Sequence, residues 1–352
     1  MCLTINCEKF IHYFCVKIKK FMKFKIIVTF LIISSILIAC KKEIQNRDYT
    51  LQGVVFGTTY KITYLNSATN YQDSLDSLFL LMNRSTSTYI STSDISKINN
   101  GDTTIVVDAI FSEVFEKSKR IFKETDGFFD PTVGNLVNAY GFGPENERND
   151  LTEDEIKAQM LFVGLEKVSI SKGKVVKEDP KIYLDFNAIA KGFGIDVVAR
   201  FFDEKKIENY LVEIGGEIRA KGTKKNQKPW LIRVVDPASA EENGGFKNIN
   251  LSNKSMATSG NYRKFRIADD GKKYVHTINP KTGFAIESNL LSASVIASAD
   301  CADVDAYATA FMAMGLERTK AFLKKHPEIE VILLFSNAEG IIEEYATYTF
   351  HQ

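Results

Sequence analysis

The sequence predicts an α+β fold. Helix and strand patterns are mixed irregularly along the 352 residues, without the regular strand–helix–strand rhythm of a doubly wound parallel sheet. Neither the glycine-rich dinucleotide fingerprint nor the P-loop occurs, so any bound nucleotide would be held by other means. The hydrophobic fraction of 45% and the charged fraction of 25% are ordinary for a globular domain. A net charge of +1 gives no support for a nucleic-acid partner.

The beginning of the sequence has the features of an export signal. Lys23 and Lys25 precede a mostly apolar run, Ile26–Ile38, which is shorter than the roughly 20 residues needed to span a bilayer. Its end, Leu37-Ile38-Ala39-Cys40, resembles the lipobox of bacterial lipoproteins. We therefore expect a signal peptide over residues 1–39, lipid on Cys40, and a polar tether over residues 40–50. The alternative is an uncleaved helical anchor.

The cysteines limit the chemistry of the rest of the chain. Of the five cysteines, three precede Met22, an alternative start that would make residues 1–21 an extension. With Cys40 assigned to the lipid, only Cys301 is left. The sequence therefore excludes an internal disulfide and a cysteine metal cluster, and Cys301 is expected to pack in the core.

Hydrophobic periodicity predicts the elements in chain order. Helical spacing predicts helices over Asp73–Met82, Asp108–Thr125, Ala188–Lys205 and Cys301–Met314. The capping box Thr152-Glu153-Asp154-Glu155 starts a further helix. Alternating or continuous apolar runs predict strands over Thr59–Leu65, Lys181–Phe186, Tyr210–Ile214, Trp230–Val235, Val275–Ile278, Leu291–Ala297 and Glu330–Phe335. Gly215-Gly216 marks a tight turn.

Two segments near predicted helix starts have the composition of a ligand site. In Gly127–Gly134, Phe129 and Asp130 stand beside glycines, which suits a flat ring held near backbone. The alternative is a hydrophobic turn between core elements. In Asp185–Gly194, an acid ends a strand and Lys191 falls in the first turn of a helix, where free N–H groups and the helix dipole favour phosphate. The alternative is a capped helix with an exposed lysine.

Two later segments offer a histidine and a set of oxygen ligands. His276 stands in a strand just before the turn sequence Asn279–Gly283, and a lone strand histidine can equally be structural. Asp305 and Thr309 are four residues apart and share a helix face. A carboxylate with a hydroxyl suits Mg²⁺ completed by phosphate oxygens and water. The alternative is a solvated face in which Asp303 and Asp305 are helix-start acids.

Taken together and in this order, the segments resemble the FAD:protein FMN transferase family, the ApbE flavin transferase lipoproteins. The similarity runs from about Val55 to Gly315 and includes further motifs at Phe56–Tyr60, Ser87–Asn99, Leu211–Ile218 and Ala257–Gly260. Several motifs in register are more specific than any one of them. The resemblance implies an ApbE/T-fold-like α+β fold, with a twisted antiparallel sheet and packed helices, in a domain over residues 51–350.

The resemblance also implies roles for individual residues. Mg²⁺ would be held by the side chains of Asp305 and Thr309 and by the backbone carbonyl of Ala188. The FAD site would be lined by Phe56, Tyr89, Phe129, Asp130, Asp185, Lys191, His276 and Thr277. The catalytic proton acceptor would be His276 or Asp305, a choice that the sequence leaves open.

The implied reaction transfers FMN from FAD to a Thr or Ser hydroxyl of an acceptor protein and releases AMP. The alternatives are a Mg²⁺-dependent FAD pyrophosphatase that gives FMN and AMP, and a non-catalytic flavin-binding lipoprotein. The implied acceptors are flavoprotein subunits of membrane respiratory complexes. The anchor would hold the protein at a membrane facing the periplasm, the inner membrane being favoured.

Three positions depart from the family pattern. Asn187, Asn279 and Phe56 stand where the family usually has Gly, Asp and Met. Because asparagine tolerates unusual backbone angles, we expect the turn at Asn187 to survive. A catalytic role of the family aspartate at position 279 would be lost, whereas turn propensity is kept.

Overall fold

The computed structural model describes residues 12–13, 15–23, 25, 45–144, 151–235, 245–260, 265–267, 273–275, 277–285 and 288–348. The chain divides into two compact units, Met1–Asn46 and Arg47–Gln352. In the first unit, the residues described between 12 and 25 are helical. The apolar run of the predicted signal peptide and Cys40 lie outside the described residues. Within the described part, no helix combines the length and apolar character needed to cross a membrane.

The second unit is organised around an antiparallel sheet. Its strands are β1 (Arg47–Val55), β2 (Thr58–Ser67), β3 (Val168–Ser171), β4 (Lys174–Lys177), β5 (Tyr210–Ile214), β6 (Glu217–Lys221), β7 (Trp230–Val235), β8 (Gly245–Leu251), β9 (Lys254–Gly260), β10 (Phe265–Ile267), β11 (Lys273–Val275), β12 (Leu290–Ala297), β13 (Glu330–Ser336) and β14 (Ile342–Ala346). Among the described residues, eight strands pair in the order β1-β2-β5-β6-β9-β12-β13-β14, and every neighbouring pair is antiparallel. The predicted α+β class with an antiparallel sheet is confirmed.

Of the second unit's seven described α-helices, three begin after residues whose side chains accept free backbone N–H groups. The helices are α1 (Gln72–Thr86), α2 (Asp94–Asn99), α3 (Ala109–Glu124), α4 (Gly134–Ala139), α5 (Glu153–Met160), α6 (Asn187–Glu204) and α7 (Cys301–Leu323). The Asp108 carboxylate accepts the Phe111 N–H at the start of α3, and the predicted capping box at Thr152 is present at the start of α5. These caps satisfy N–H groups that have no partner within their helix.

The main sheet is covered on both faces. Because side chains alternate along a strand, β2 and β5 direct Ile62 and Val212 into the large core formed with the helices. On the other face, Ile218 of β6 and Ile296 of β12 pack against the separate β7–β8 hairpin, which contributes Trp230. The helices and this hairpin therefore lie against opposite sides of the same sheet.

The structure corrects several predicted boundaries. Lys181–Phe186 is not a strand, because Leu184 bonds the side chain of Asn99 instead of a neighbouring strand; only Tyr183 forms an isolated bridge. The predicted strand Val275–Ile278 is wrong at Thr277 and Ile278, since Thr277 is outside any strand and Ile278 forms only an isolated bridge. Residues 47–50, assigned to the tether, belong to β1.

The last predicted helix is longer than expected. It continues past Met314 to Leu323, although Gly315 has a left-handed φ of 73° and interrupts the helical backbone. The Thr319 hydroxyl donates to the Gly315 carbonyl at 2.8 Å and so supports the chain beyond the interruption. In the sequence, a glycine at this position predicts the end of a helix. In the structure, Gly315 interrupts α7 without ending it.

Candidate active site

A cavity of about 500 Å³ lies where several loops of the second unit meet the ends of its helices. Its lining includes the start of α6, the β5–β6 turn and residues 305–313 of α7. The loop before α4, β7 and the segment around residues 277–280 also line it. The cavity therefore collects segments that are far apart in the sequence.

Most of the residues singled out in the sequence line this cavity. They are Tyr89, Phe129, Asp130, Asp185, Ala188, Lys191, Thr277, Asp305 and Thr309. Phe56 does not line it, because the β1–β2 turn directs its ring against Phe79, with 5.7 Å between ring centroids, and towards Gly194. His276 lies outside the described residues.

The position of Asp305 follows from the close contact between α6 and α7. A Cβ on Gly192 would lie 2.4 Å from the Cys301 carbonyl oxygen, so only glycine allows the two backbones to meet here. The Gly192 N–H donates to Asp305 Oδ2 at 3.0 Å. Asp305 is 2% exposed, and Thr309 lies one helical turn further along and bonds Ser259. Both side chains thus reach the cavity from one face of α7.

Lys191 lies between two carboxylates in the cavity. Its Nζ is 3.7 Å from Asp305 Oδ1 and 3.6 Å from Glu217 Oε1. Glu217 was not among the residues chosen from the sequence, although it directly follows the glycine pair of the β5–β6 turn. Its side chain is buried, and its Oε2 has no hydrogen-bond partner among the residues that the structure describes. A buried acceptor without a partner costs about 1–3 kcal/mol or more for a charged group.

Burial dominates the electrostatics of this cluster. It raises the pKa of Glu217 to about 8, with Lys191 opposing the rise and Asp305 adding to it. Burial also raises the pKa of Asp305, against the favourable contacts with Lys191 and the Gly192 N–H. For Lys191, burial works to lower the pKa, but the two carboxylates outweigh it and the pKa is raised. Lys191 is therefore charged at neutral pH.

Two further acids, Asp130 and Asp185, line the cavity. Asp130 Oδ1 accepts the N–H and the hydroxyl of Thr132 at 2.8 and 2.6 Å, yet burial raises its pKa to about 6. Burial also raises the pKa of Asp185, whose carboxylate accepts the Asn187 N–H at 2.7 Å. The Asp185 N–H donates to the Pro131 carbonyl at 2.7 Å, which joins the two loops.

Asn187 and Asn279, which differ from the usual family residues, both form hydrogen bonds that support the local backbone or a neighbouring segment. Asn187 begins α6 and is not among the residues with a left-handed φ, so the tolerance expected of asparagine is not used. Its amide donates to the Thr88 hydroxyl at 3.3 Å. The Asn279 side chain accepts the Lys281 N–H at 2.9 Å, and its carbonyl accepts the Gly283 N–H at 2.8 Å. Asn279 thus holds the predicted turn.

The remaining lining is apolar and aromatic. Phe128 and Phe142 join Phe129 and Ile278 around the loop side of the cavity. The Arg318 guanidinium lies 5.2 Å from the centre of the Phe128 ring. These rings suit a flat aromatic ligand, and the charged residues that line the same cavity suit a phosphorylated one.

The donor set is suited to a hard divalent cation. Asp305 and Thr309 offer carboxylate and hydroxyl oxygens to the cavity that Ala188, at the start of α6, also lines. The described residues contain no cluster of three or more His, Cys, Asp or Glu side chains that could hold a metal by themselves. A cation here would need water or ligand oxygens as well, which is the usual situation of Mg²⁺.

Comparison with known proteins identifies the family of this chain. The family model described as "ApbE family" matches residues 56–333. The FAD:protein FMN transferase of Haemophilus influenzae is 34% identical over 320 residues, which cover 87% of this chain and 91% of the relative. The protein of the same name from Vibrio cholerae is 35% identical over 324 residues, covering 90% and 95% of the two chains.

Solved structures give the same result. The flavin transferase ApbE from Vibrio cholerae superposes with a TM-score of 0.77 at 35% identity, covering 87% of this chain and 98% of that chain. The apo form of the Pseudomonas stutzeri flavinyl transferase ApbE gives a TM-score of 0.77 at 27% identity, covering 86% and 95%. The family model spans most of the chain and the relatives align over nearly their full lengths. This chain belongs to the ApbE family.

Proposed function

We propose that this protein transfers the FMN part of FAD to a Thr or Ser hydroxyl of an acceptor flavoprotein, with Mg²⁺ as cofactor and AMP as the leaving product. The observation that carries the proposal is the meeting of Asp305, Thr309, Ala188 and Lys191 in one cavity that also has an aromatic wall. The names of the relatives, FAD:protein FMN transferase, support the same reaction.

The residues of the cavity divide into those for the ring system and those for the phosphates. The aromatic wall at Phe128 and Phe129 offers flat surfaces for the isoalloxazine or adenine ring. The α6 N-terminus, with Lys191 in the cavity, offers N–H groups and a fixed positive charge to the diphosphate. Binding at both places fixes FAD with its diphosphate beside α7.

The cation would be held by the side chains of Asp305 and Thr309 and by the carbonyl of Ala188. Bound there, Mg²⁺ supplies positive charge to phosphate oxygens, which is the main requirement of phosphoryl-type transfer. The protein contributes the orientation of these ligands, since the Gly192 N–H fixes the Asp305 carboxylate. Lys191 adds its own charge on the same side of the cavity.

In the proposed reaction, the acceptor hydroxyl forms a bond to the FMN-side phosphorus while the bond to the AMP phosphate breaks. The hydroxyl proton passes to a base, and His276 and Asp305 are the two candidates. Because phosphoryl-type transfer depends mainly on positioning and charge, a strong base is not required.

The test is an incubation of the protein with FAD, Mg²⁺ and a candidate acceptor flavoprotein subunit. We expect flavin fluorescence to appear on the acceptor band in a denaturing gel, with AMP released in equal amount. A matched acceptor with its Thr replaced by Ala should stay dark. Release of free FMN and AMP without labelling would indicate a pyrophosphatase, and unchanged FAD a binding protein; either outcome contradicts the proposal.

We also propose that lipid on Cys40 anchors the protein at a bacterial membrane, facing the periplasm and acceptors in respiratory complexes. The support is the sequence pattern around Cys40 and the polar residues that follow it. Membrane fractionation of the wild type and of Cys40→Ala tests this. The wild type should sediment with membranes and carry a lipid mass, and the variant should not carry that mass. An unlipidated wild type would contradict the proposal.

A further inference from the structure

We propose that Glu217, in its ionised form, is a positioning residue that holds the Lys191 ammonium away from Asp305 and so keeps the cation site open. The inference rests on the proposed function only in taking Asp305 as a ligand of the divalent cation. It assigns a role to a carboxylate outside the proposed ligand set.

The first observation is that Lys191 is shared between the two carboxylates. Its Nζ lies at 3.6 and 3.7 Å from the nearest oxygens of Glu217 and Asp305. Direct charge-assisted hydrogen bonds are shorter, roughly 2.7–2.9 Å. The ammonium is therefore drawn to both acids and held tightly by neither.

The second observation concerns the oxygens of Asp305. Its Oδ2 already accepts the Gly192 N–H at 3.0 Å, and Oδ1 is the oxygen nearest to Lys191. Without the Glu217 charge, Lys191 would have only Asp305 as a buried partner. The ammonium would then move onto Oδ1 and compete with a cation for that oxygen.

The third observation is how the fold places Glu217. Gly215 has a left-handed φ of 66°, and a Cβ there would lie 2.8 Å from Thr58 and 3.4 Å from Glu217 Oε2. The glycine turn thus leaves room for the carboxylate to lie buried at the start of β6. Glu217 is 4% exposed, and its Oε2 has no hydrogen-bond partner within the described structure.

Charge counting leads to the same conclusion. Within the cluster of Asp305, Glu217 and Lys191, one net negative charge remains when both acids are ionised. Replacing Glu217 with a neutral residue leaves none. Since the attraction between charges a few ångströms apart is strong at a site of low dielectric constant, a divalent cation would bind less tightly.

The experiment measures Mn²⁺ binding, without flavin, by electron paramagnetic resonance at a pH above about 8, where Glu217 is ionised. We expect Glu217→Gln to weaken Mn²⁺ binding by about tenfold or more. Glu217→Asp should recover part of the loss. Adding Lys191→Met to Glu217→Gln should tighten binding again, because the competing ammonium is gone.

Glu213→Gln is the matched control. Glu213 belongs to the same hairpin and caps the Gly216 N–H, but it does not line the cavity, so its Mn²⁺ affinity should stay at the wild-type value. If a folded Glu217→Gln protein binds Mn²⁺ within twofold of the wild type, the inference is overturned. The variants could show the expected differences in Mn²⁺ affinity while the wild type transfers no FMN. That result would overturn the proposed function and leave the inference about Glu217 standing.

Discussion

At the scale of single residues, Gly192 determines how closely the two central helices approach. A Cβ at Gly192 would lie 2.4 Å from the Cys301 carbonyl oxygen and 2.7 Å from the Ala302 nitrogen, both of which are backbone atoms. A Cβ at Gly194 would also meet a neighbour at 2.6 Å, but this neighbour is the ring of Phe56. A ring can rotate away, whereas the backbone of α7 cannot move without carrying Asp305 with it.

We therefore expect Gly192→Ala to lower the free energy of unfolding by about 1–3 kcal/mol, a typical cost of overpacking. Gly194→Ala should cost less, because the Phe56 ring can move aside, while the gain of about 1 kcal/mol in helix propensity is the same for both substitutions. Urea unfolding of both variants measures the difference. Equal losses would show that the α6–α7 contact is not tight at Gly192.

The buried Glu217 predicts how stability depends on pH. Burial raises the pKa of Glu217 from 4.5 to about 8, with Lys191 of α6 and Asp305 of α7 facing it. Between these values the folded protein holds a proton that the unfolded chain has released. The free energy of unfolding should therefore fall as the pH rises through this range.

The glutamine side chain of Glu217→Gln cannot ionise. The free energy of unfolding of this variant should therefore fall less between pH 4.5 and about 8 than that of the wild type. Burial also raises the pKa values of Asp130 and Asp196 to about 6. Because of these two acids, the free energy of unfolding of the variant should still fall over part of the range. Urea unfolding at both ends of the range compares the two proteins. Identical slopes in the wild type and the variant would contradict the buried, protonated state of Glu217.

At the scale of elements, α6 both contacts and caps α7. The Asp196 carboxylate on α6 accepts the N–H groups of Cys301 and Ala302, the first two residues of α7, at 2.8 and 2.9 Å. It also bonds Arg219 of β6. These contacts fix the N-terminal turn of the helix that carries Asp305.

Asp196→Ala should therefore lower the free energy of unfolding by about 1.5–3 kcal/mol, the scale of a hydrogen bond to a charged group. Glu317→Ala is the control on the same helix, because its pair with Lys320 is largely exposed and is worth about 0.2–0.5 kcal/mol. Thermal or urea unfolding measures both. A loss no larger than that of Glu317→Ala would contradict the capping role.

Sequence patterns predicted those elements whose signals are local. Alternation gave the bounds of β5 and β7 as they occur, and the capping box located α5. The strand predicted at Lys181–Phe186 was wrong because an apolar run has no intrinsic partner, and Asn99 supplies the hydrogen bonds instead. A pairing decided by a side chain far away in sequence leaves no local signal.

The candidate site shows the same limit. Asp305 and Thr309 were predicted because their spacing places them on one helix face. Glu217 was missed because a lone acid at a strand start resembles a solvated residue, and only the packing of α6 and α7 against β6 brings it to Lys191. The glycine pair before it was the signal available in the sequence.

At the scale of the whole molecule, the main sheet lies between two apolar clusters, one formed with the helices and one formed with the β7–β8 hairpin. Trp230, the one tryptophan of the chain, is 3% exposed in the β7–β8 hairpin and donates to the Lys221 carbonyl of β6 at 3.1 Å. The hairpin shares its apolar cluster with β6, β9, β12 and β13, and it also forms a wall of the cavity through Ile232 and Val234.

Because of this shared cluster, we expect the hairpin to unfold together with the helical side of the sheet. In urea, the transition followed by Trp230 fluorescence should coincide with the transition followed by far-ultraviolet circular dichroism. An earlier fluorescence transition would mean that the hairpin and its wall of the cavity open independently.

The central claim is that α7 presents Asp305 to a cation that supports FMN transfer, and the most direct measurement is the rate of acceptor labelling as a function of Mg²⁺ concentration. Asp303→Ala is the matched control, since Asp303 faces Lys117 and Arg120 rather than the cavity. We predict that Asp305→Ala slows transfer by about 100-fold or more, while Asp303→Ala stays near the wild-type rate. An Asp305→Ala protein that labels the acceptor at the wild-type rate in Mg²⁺ would contradict the claim.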